Sequence, residues 1–471
     1  MRLVKALLPV IIIALIFSGC SFRLASSVDE LISPVSPQGD DADVQNALSA
    51  YTNGAFTLKN ASDGDYTNAY SFYDLDADGE DEAVVFYETS KSIGSINMAV
   101  IDNIDGKWSV IYNISSENAD IYSLGFTDLD GDGITEIITL WDAISNSKSH
   151  LLSVYRQSSS GGEYKLTEIG SSIAMNNCIP VDTDGNGVNE LLVFTVDSGD
   201  SVTASATLYS FEGSERKALG TTKLDGHISL YKSFATESKN GRVYIYADAI
   251  KSNGSQMLTE IIHWSDYYGT VISPFYSYST GITKNTTRSA MLVCRDINGD
   301  GLIELPLDAE SDNLPDEVEA VKWTQYDNSV LNTVCCSFAV SKDNYQIVFD
   351  NDDFENIYAE YDSENSRLTV FDSDGNASFS VLSLLKMRYD EARSDYSGYS
   401  EIMNNSGYVY LAEIYENSDI SITADDLKSM IKSYVRNFLY ISRCDEVPSI
   451  SVEGLPSLLN ALNNTADDKL F

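Results

Sequence analysis

Three short runs, EAVVFY from Glu82, EIITLW from Glu136 and ELLVFT from Glu190, are almost continuously apolar and rich in β-branched and aromatic residues. They are too short for helices, and that pattern predicts buried strands. Each run follows an acidic stretch that contains glycine and precedes further strand-like pieces bounded by turns. After Asp128 these pieces are SHLLSVYRQ, the turn SSSGGE and YKLTEIG. About four short strands per unit predict a mostly β chain. Towards the C-terminus the strand-like segments NTVCCSFAV, YQIVFD, SRLTVFD, FSVLSLLKM and YVYLAEIY continue, with DNDDFENIYAEYD expected to contain a surface turn. A helix is expected after Thr423, with Asp426 three residues on completing a capping arrangement. Leu427, Met430, Ile431, Val435 and Phe438 then form one apolar stripe for core packing.

The acidic stretches repeat. FYDLDADGEDEAVVFY, FTDLDGDGITEIITLW, PVDTDGNGVNELLVFT and CRDINGDGLIELPLDA begin their acidic runs at Asp74, Asp128, Asp182 and Asp296. The first three starts are 54 residues apart and the last gap is 114, about two periods, so a further copy is expected near residue 236. There FATESKNGRVYIYADA keeps Phe234 and Asn240-Gly241 in register, but Thr236, Ser238 and Tyr244 stand where the other copies carry acids. The strand unit is expected to persist in that copy without an ion site.

Every intact copy has glycine at the sixth position (Gly79, Gly133, Gly187, Gly301) and a carboxylate at the ninth (Glu82, Glu136, Glu190, Glu304). Crowded carboxylates repel one another unless neutralised, and a hard cation that takes oxygen ligands does this economically. The glycine supplies the backbone freedom for a tight turn around an ion. An EF-hand needs a bidentate acid at the twelfth position, and Val85, Thr139, Val193 and Leu307 stand there instead. Side-chain oxygens at positions one, three, five and nine with a carbonyl at seven supply about five of the six to eight oxygens calcium takes.

These motifs resemble the FG-GAP or VCBS repeats of integrin-like β-propellers, whose DxDxDGxxE/D loops bind calcium at the edge of each blade. The resemblance covers residues 50 to 320. It implies calcium at about four sites: Asp74, Asp76, Asp78 and Glu82; Asp128, Asp130, Asp132 and Glu136; Asp182, Asp184, Asn186 and Glu190; Asp296, Asn298, Asp300 and Glu304. The backbone carbonyls would come from Glu80, Ile134, Val188 and Leu302. The FG and GAP dipeptides themselves are degenerate here, and five repeats are present where integrins have seven blades. The expected fold is a β-propeller of about five blades over residues 45–325, followed by a smaller α+β domain over 326–471.

The N-terminal sequence adds an address. Arg2 and Lys5, an apolar run from Ala6 to Phe17, and Ser18-Gly19-Cys20 form a secretory signal over residues 1–20. The run falls short of the roughly 20 residues needed to span a bilayer. Small residues before cysteine resemble the lipobox of bacterial lipoproteins, with Phe17 where leucine is usual. That resemblance implies lipidation of Cys20, export, and a lipid anchor at the cell membrane or surface, with residues 21–44 as a flexible tether.

With 30 basic and 71 acidic residues the net charge is -41, which disfavours nucleic acid and leaves cations as natural partners. Cys178, Cys294, Cys335, Cys336 and Cys444 include no CxxC pair. Adjacent Cys335 and Cys336 are expected on opposite faces of a strand, buried as small apolar residues. His150, His227 and His263 belong to no metalloprotease or triad motif. The expected function is non-catalytic: a binding or scaffold module for a protein or glycan ligand, with 29 tyrosines offering contact surface. The enzymatic rival is a propeller glycoside hydrolase using funnel carboxylates. In its native host the mature protein is expected to begin at a lipidated Cys20; intact mass measurement checks this, and an unlipidated mature N-terminus would contradict it.

Overall fold

A computed structural model describes residues 38–434, apart from 90–93, 119, 143–148, 161–162, 198–201, 214, 312–313 and 406. Cys20, Val435, Phe438 and Cys444 lie outside the described residues. The chain is mostly β, and its strands form successive antiparallel sheets. Sheet 1 contains β1 (Phe56–Lys59), β2 (Tyr70–Tyr73), β3 (Glu82–Thr89), β4 (Ile96–Ile104) and β5 (Lys107–Ser116). Strands β1 and β2 share one edge of β3, and β4 and β5 follow on the other side. Sheet 2 contains β6 (Asp120–Thr127), β7 (Glu136–Asp142), β8 (His150–Ser160), β9 (Glu163–Glu168) and β10 (Ile173–Met175), with β9 and β10 sharing β8. Sheet 3 is the meander β11 (Asn177–Val181), β12 (Glu190–Asp197), β13 (Thr203–Glu212) and β14 (Glu215–Leu224).

Sheet 4 is the meander β15 (Ile228–Lys239), β16 (Arg242–Lys251), β17 (Met257–Ser265) and β18 (Thr270–Ile272). Here the repeat has no long loop. Asn240 and Gly241 take φ of 55° and 71° and close a two-residue hairpin, with Lys239 paired to Arg242. Residues aligned with acidic loop positions elsewhere have been absorbed into strands. A ribbon of β19 (Tyr276–Ser277) and β20 (Ile282–Thr283) leads to sheet 5: β21 (Glu304–Asp308), β22 (Val318–Asp327), β23 (Val330–Val340) and β24 (Tyr345–Asp350). Sheet 6 comprises β25 (Ile357–Asp362), β26 (Arg367–Asp372), β27 (Ala377–Leu385), β28 (Ser400–Asn404) and β29 (Tyr408–Ile414), with β29 between β27 and β28.

Apolar cores join these sheets in chain order. Phe86 and Met98 of sheet 1 pack with Phe126 and Trp141 of sheet 2. Leu152 and Val154 of sheet 2 meet Leu191 and Val193 of sheet 3. Phe194 and Leu208 meet Tyr231 and Ile245 of sheet 4, and Tyr246 and Ile261 meet Leu305 and Tyr326 of sheet 5. The other face of sheet 1 is covered by helix α1 (Asp40–Thr52), through Val44 and Leu48 against Val85 and Ile101. The far face of sheet 5 is covered by sheet 6, where Phe338 and Ile347 pack with Val370 and Phe379.

Three boundaries differ from expectation. The tether drawn over 21–44 overlaps α1, because Asp40, Asp41 and Asp43 favour its N-terminus and Val44 and Leu48, four apart, bury against sheet 1. The domain boundary at 325 falls inside β22, whose Val318 and Ala320 face sheet 6 while Val321 and Trp323 face the opposite core. The expected C-terminal helix is shorter. Thr423 and Asp426 form the capping box of α4 (Ala424–Met430), but after Met430 the chain enters β30 (Ile431–Ser433) on the edge of β24. β-branched Ile431 pairs with Ile347 there and remains in the same core as Leu427. Within DNDDFENIYAEYD the turn is the single helical turn α2 (Asn351–Phe354), with Phe354 buried. Helix α3 (Lys386–Glu391) lies outside sheet 6, its Tyr389 packed on Leu382 and Leu411.

Cys335 and Cys336 do face opposite cores, and both are buried free thiols, as are Cys178 and Cys294. Among the described residues no helix is long and apolar enough to cross a membrane. Replacing fully buried Leu48 by alanine is expected to cost about 2–5 kcal/mol by leaving a cavity under α1. A urea midpoint unchanged by Leu48→Ala would show that α1 does not hold the outer face of sheet 1.

Candidate metal loops

The four acidic stretches form one loop geometry at corresponding places. The first joins β2 to β3, the second β6 to β7, and the third β11 to β12; the fourth enters β21. The sixth-position glycines all take positive φ, between 84° and 91°, which side chains adopt only at a cost. The amide of each glycine donates to the first-position carboxylate, at 3.1 Å for Asp74, 2.9 Å for Asp128, 2.8 Å for Asp182 and 2.9 Å for Asp296. Seventh-position amides donate to Asp78, Asp132, Asn186 and Asp300 at 2.7–2.8 Å. Second-position amides donate to Oε2 of Glu82, Glu136, Glu190 and Glu304 at 2.7–2.9 Å. The backbone thus folds each loop around its own acids; in the second, third and fourth loops both oxygens of the first-position Asp accept backbone amides.

The loops also link successive sheets through their eighth position. Thr135 N donates to Leu75 O of the first loop at 2.9 Å. Asn189 Nδ2 donates to Thr127 Oγ1 of sheet 2 at 3.0 Å, and Ile303 N to Glu237 Oε2 of sheet 4 at 2.8 Å. Gly131 sits so close to Val188 that an added Cβ would meet its Cγ2 at 2.6 Å. The first three loops therefore run side by side.

The ninth-position glutamates are almost fully buried: Glu82, Glu136, Glu190 and Glu304 are 1%, 0%, 5% and 0% exposed. Burial first, then neighbouring carboxylates, pushes the carboxyls of Glu82 and Glu304 up to about 7 against backbone donors that lower them. Glu190 is raised by burial too, opposed by the hydroxyl and amide of Thr183. Asp76 is raised by burial and by Asp78 and Asp74.

In the first loop Asp74, Asp76 and Asp78 bring carboxylate oxygens within 4.8 Å of one another. Buried Asp74 Oδ1 and Glu82 Oε1 have no hydrogen-bond partner. Unsatisfied buried anionic oxygens on an all-oxygen donor set suit calcium, which would neutralise the cluster and tie β2 to β3. Glu80, Ile134, Val188 and Leu302 occupy the seventh positions expected to offer carbonyls. In the second loop Asp128, Asp130 and Glu136 gather similarly, but the Arg156 guanidinium pairs with Asp130, with Asp132 at 2.9 Å and with Glu136 at 3.4 Å. In the third, Thr183 Oγ1 donates to Glu190 Oε2 at 2.7 Å, while Asp182 and Asp184 accept amides from Gly185 and Asn186. In the fourth, Gln325 Nε2 donates to Asp300 Oδ2 and Glu304 Oε1, both at 2.7 Å, and Asn298 donates to Asp300.

Arg156 and Gln325 were not among the expected site residues. Glu304 pairs directly with Gln325 across its hairpin. The pair Ile137–Tyr155 likewise sets Arg156 opposite Glu136, Ala83–Ile101 sets Asp102 opposite Glu82, and Leu191–Tyr209 sets Ser210 opposite Glu190. Asp102 is raised by burial and by Asp76, Asp78 and Glu80. The signal in the chain is a position twenty or twenty-one residues beyond the ninth-position acid, where residue type varies.

Calcium is expected to raise the thermal midpoint, because a ligand held only by the folded state stabilises it by mass action. The pH dependence has a definite sign. Glu82 and Glu304 keep protons up to about 7 when folded, whereas the ordinary value is 4.5. Without metal their contribution to stability is therefore lost as pH rises from 4.5 through about 7. Added calcium competes with those protons, so its stabilising effect should be larger at high pH than at low. Melting metal-free and calcium-loaded protein on both sides of that window checks this; equal calcium shifts at both ends would contradict it.

No protein-family model matches the chain, and no curated protein matches it. Among solved structures, the chain is similar to a Bacillus licheniformis rhamnogalacturonan lyase, at 15% identity and a TM-score of 0.29 over 68% of this chain and 57% of that one. A second similar structure is the Dos1 propeller, at 10% identity and a TM-score of 0.28 over 66% of this chain and 65% of that one. The chain thus covers less than two thirds of the length of either.

Proposed function

We propose that this protein is an exported, lipid-anchored array of propeller-type blades, fastened by calcium, that presents a binding surface rather than a catalytic centre. Cys20 would carry the lipid and hold the array at the cell membrane or surface. The four acidic loops act as fasteners between consecutive sheets. The observation that carries the binding role is the set of exposed tyrosines between β17 and β20. Tyr267, Tyr268 and Tyr278 are 88%, 67% and 74% exposed, on the β17–β18 turn and the following ribbon. Their rings pack edge to face, Tyr267 on Tyr268 and Tyr276 on Tyr278. Such rings offer apolar faces with polar tips, suited to a glycan or protein surface.

The buried acids Asp248 of β16 and Glu260 of β17 support a structural role. Glu260 accepts from Asp225 N, Ser273 Oγ and Thr283 Oγ1. Asp248 pairs with fully buried Arg288 at 2.8 Å and accepts from Thr259 and Cys294 N. Their oxygens are committed to internal donors. Screening the intact protein against glycan and envelope-protein panels, with product formation followed in parallel, is expected to give binding without turnover. Changing Tyr267, Tyr268 and Tyr278 together to alanine should weaken the ligand so found at least about tenfold with an unchanged melting curve. Turnover of an oligosaccharide, or binding indifferent to the three substitutions, would overturn the assignment.

A further inference from the structure

The residue facing the ninth-position glutamate across the hairpin differs in every loop: Asp102, Arg156, Ser210 and Gln325. We propose that Arg156 is the built-in counter-ion of the second loop, so that this loop closes without metal while the first, third and fourth depend on calcium. The inference rests on the calcium reading above and divides its four loops into two kinds.

Arg156 is suited to that role by placement. It lies on β8, directly opposite Glu136, which is 0% exposed. Its guanidinium contacts Asp130, Asp132 and Glu136, three of the four side chains that would otherwise hold the ion. The fourth, Asp128, accepts from the amides of Asp130, Gly131 and Gly133. Arg156 is held from the other side as well, since Nη1 donates to Gly213 O in the β13–β14 turn of sheet 3 at 3.1 Å. A planar guanidinium matches several carboxylates at once and stays charged across the physiological range. Because it is tethered, it competes with free calcium at high effective concentration. A cation entering between these acids would have to displace Arg156 against like-charge repulsion.

The other three loops have no such cation opposite the glutamate. Asp102 adds a further acid to the first loop, where Glu82 Oε1 and Asp74 Oδ1 are buried without a hydrogen-bond partner; Glu136 Oε1 and Asp130 Oδ1 of the second loop lack one as well, but there the Arg156 guanidinium lies 3.4 Å from Glu136 Oε1. Ser210 is neutral and small. Gln325 covers Asp300 and Glu304 with a neutral amide, which leaves their negative charge uncompensated. The second loop also sits between the first and third: its Thr135 donates to Leu75 O, and Arg156 itself donates to Gly213 O of sheet 3.

The test counts calcium bound to the intact protein by equilibrium dialysis and melts the same samples with and without metal. The wild-type chain is expected to bind about three ions and Arg156→Ser about four. In metal-free buffer Arg156→Ser should melt lower than wild type, and calcium should restore most of the difference. Ser210→Arg is the reciprocal variant, expected to lose one ion relative to wild type; it decides the matter if Arg156→Ser does not fold. Four ions in wild type, unchanged by Arg156→Ser, would overturn the role of Arg156 and leave the calcium loops standing. No bound calcium in any variant would overturn the calcium reading. In that case a metal-free melting curve unaffected by Arg156→Ser would overturn the counter-ion as well.

Discussion

If calcium holds the loops as proposed, the stack depends on neutralising carboxylates that the backbone has forced together. Each acidic loop turns a chain reversal into an anionic cage: glycine amides fix the first acid, and a strand residue buries the ninth. A buried carboxylate without a partner is costly, and a proton, a donor of the chain such as Arg156 or Gln325, or the proposed calcium would each relieve it. A cation there would tie together two strands, and eighth-position contacts such as Thr135 to Leu75 join the loop to the preceding sheet. Sheet 4 lacks the cage and closes its strands with the Asn240-Gly241 hairpin. It still contributes Glu237 to the fourth loop, so sheet 4 is linked to sheet 5 although it has no ion site of its own.

The ends of the stack obey a different constraint. A sheet needs cover on each apolar face, and the outermost faces of sheets 1 and 5 receive it from α1 and sheet 6. Sheet 6 is in turn covered by α3 through Tyr389. The amphipathic pair Val44 and Leu48 therefore does for sheet 1 what a neighbouring sheet does elsewhere. This explains why the C-terminal segment cannot be separated at residue 325: β22 carries one core on each face. The return of β30 to β24 ties residues 431–433 to the same sheet.

Much of this was legible in the chain because it is local. Within each loop position six bonds to one, seven to five and two to nine, so the spacing of the acids and the glycine survives in the sequence, and so do the apolar runs that follow. The capping box at Thr423 and Asp426 and the opposed Cys335 and Cys336 are local in the same sense. The parts that were not legible depend on partners distant in sequence. The helical stripe beyond Met430 gives way because the edge of β24 is available to Ile431, and residues 40–44, expected to be tether, belong to α1 because sheet 1 needs cover. Arg156 lies twenty residues beyond Glu136, and only hairpin register shows that the two meet. A strand arginine carries no mark of that role by itself.

The most direct measurement is amide hydrogen exchange of the intact protein, metal-free and calcium-loaded, read at the sixth-position glycines. If metal holds the loops, calcium slows exchange at Gly79, Gly187 and Gly301, while Gly133, already held beneath Arg156, changes little. Exchange at all four glycines indifferent to calcium would contradict the claim that neutralised acidic loops fasten this stack.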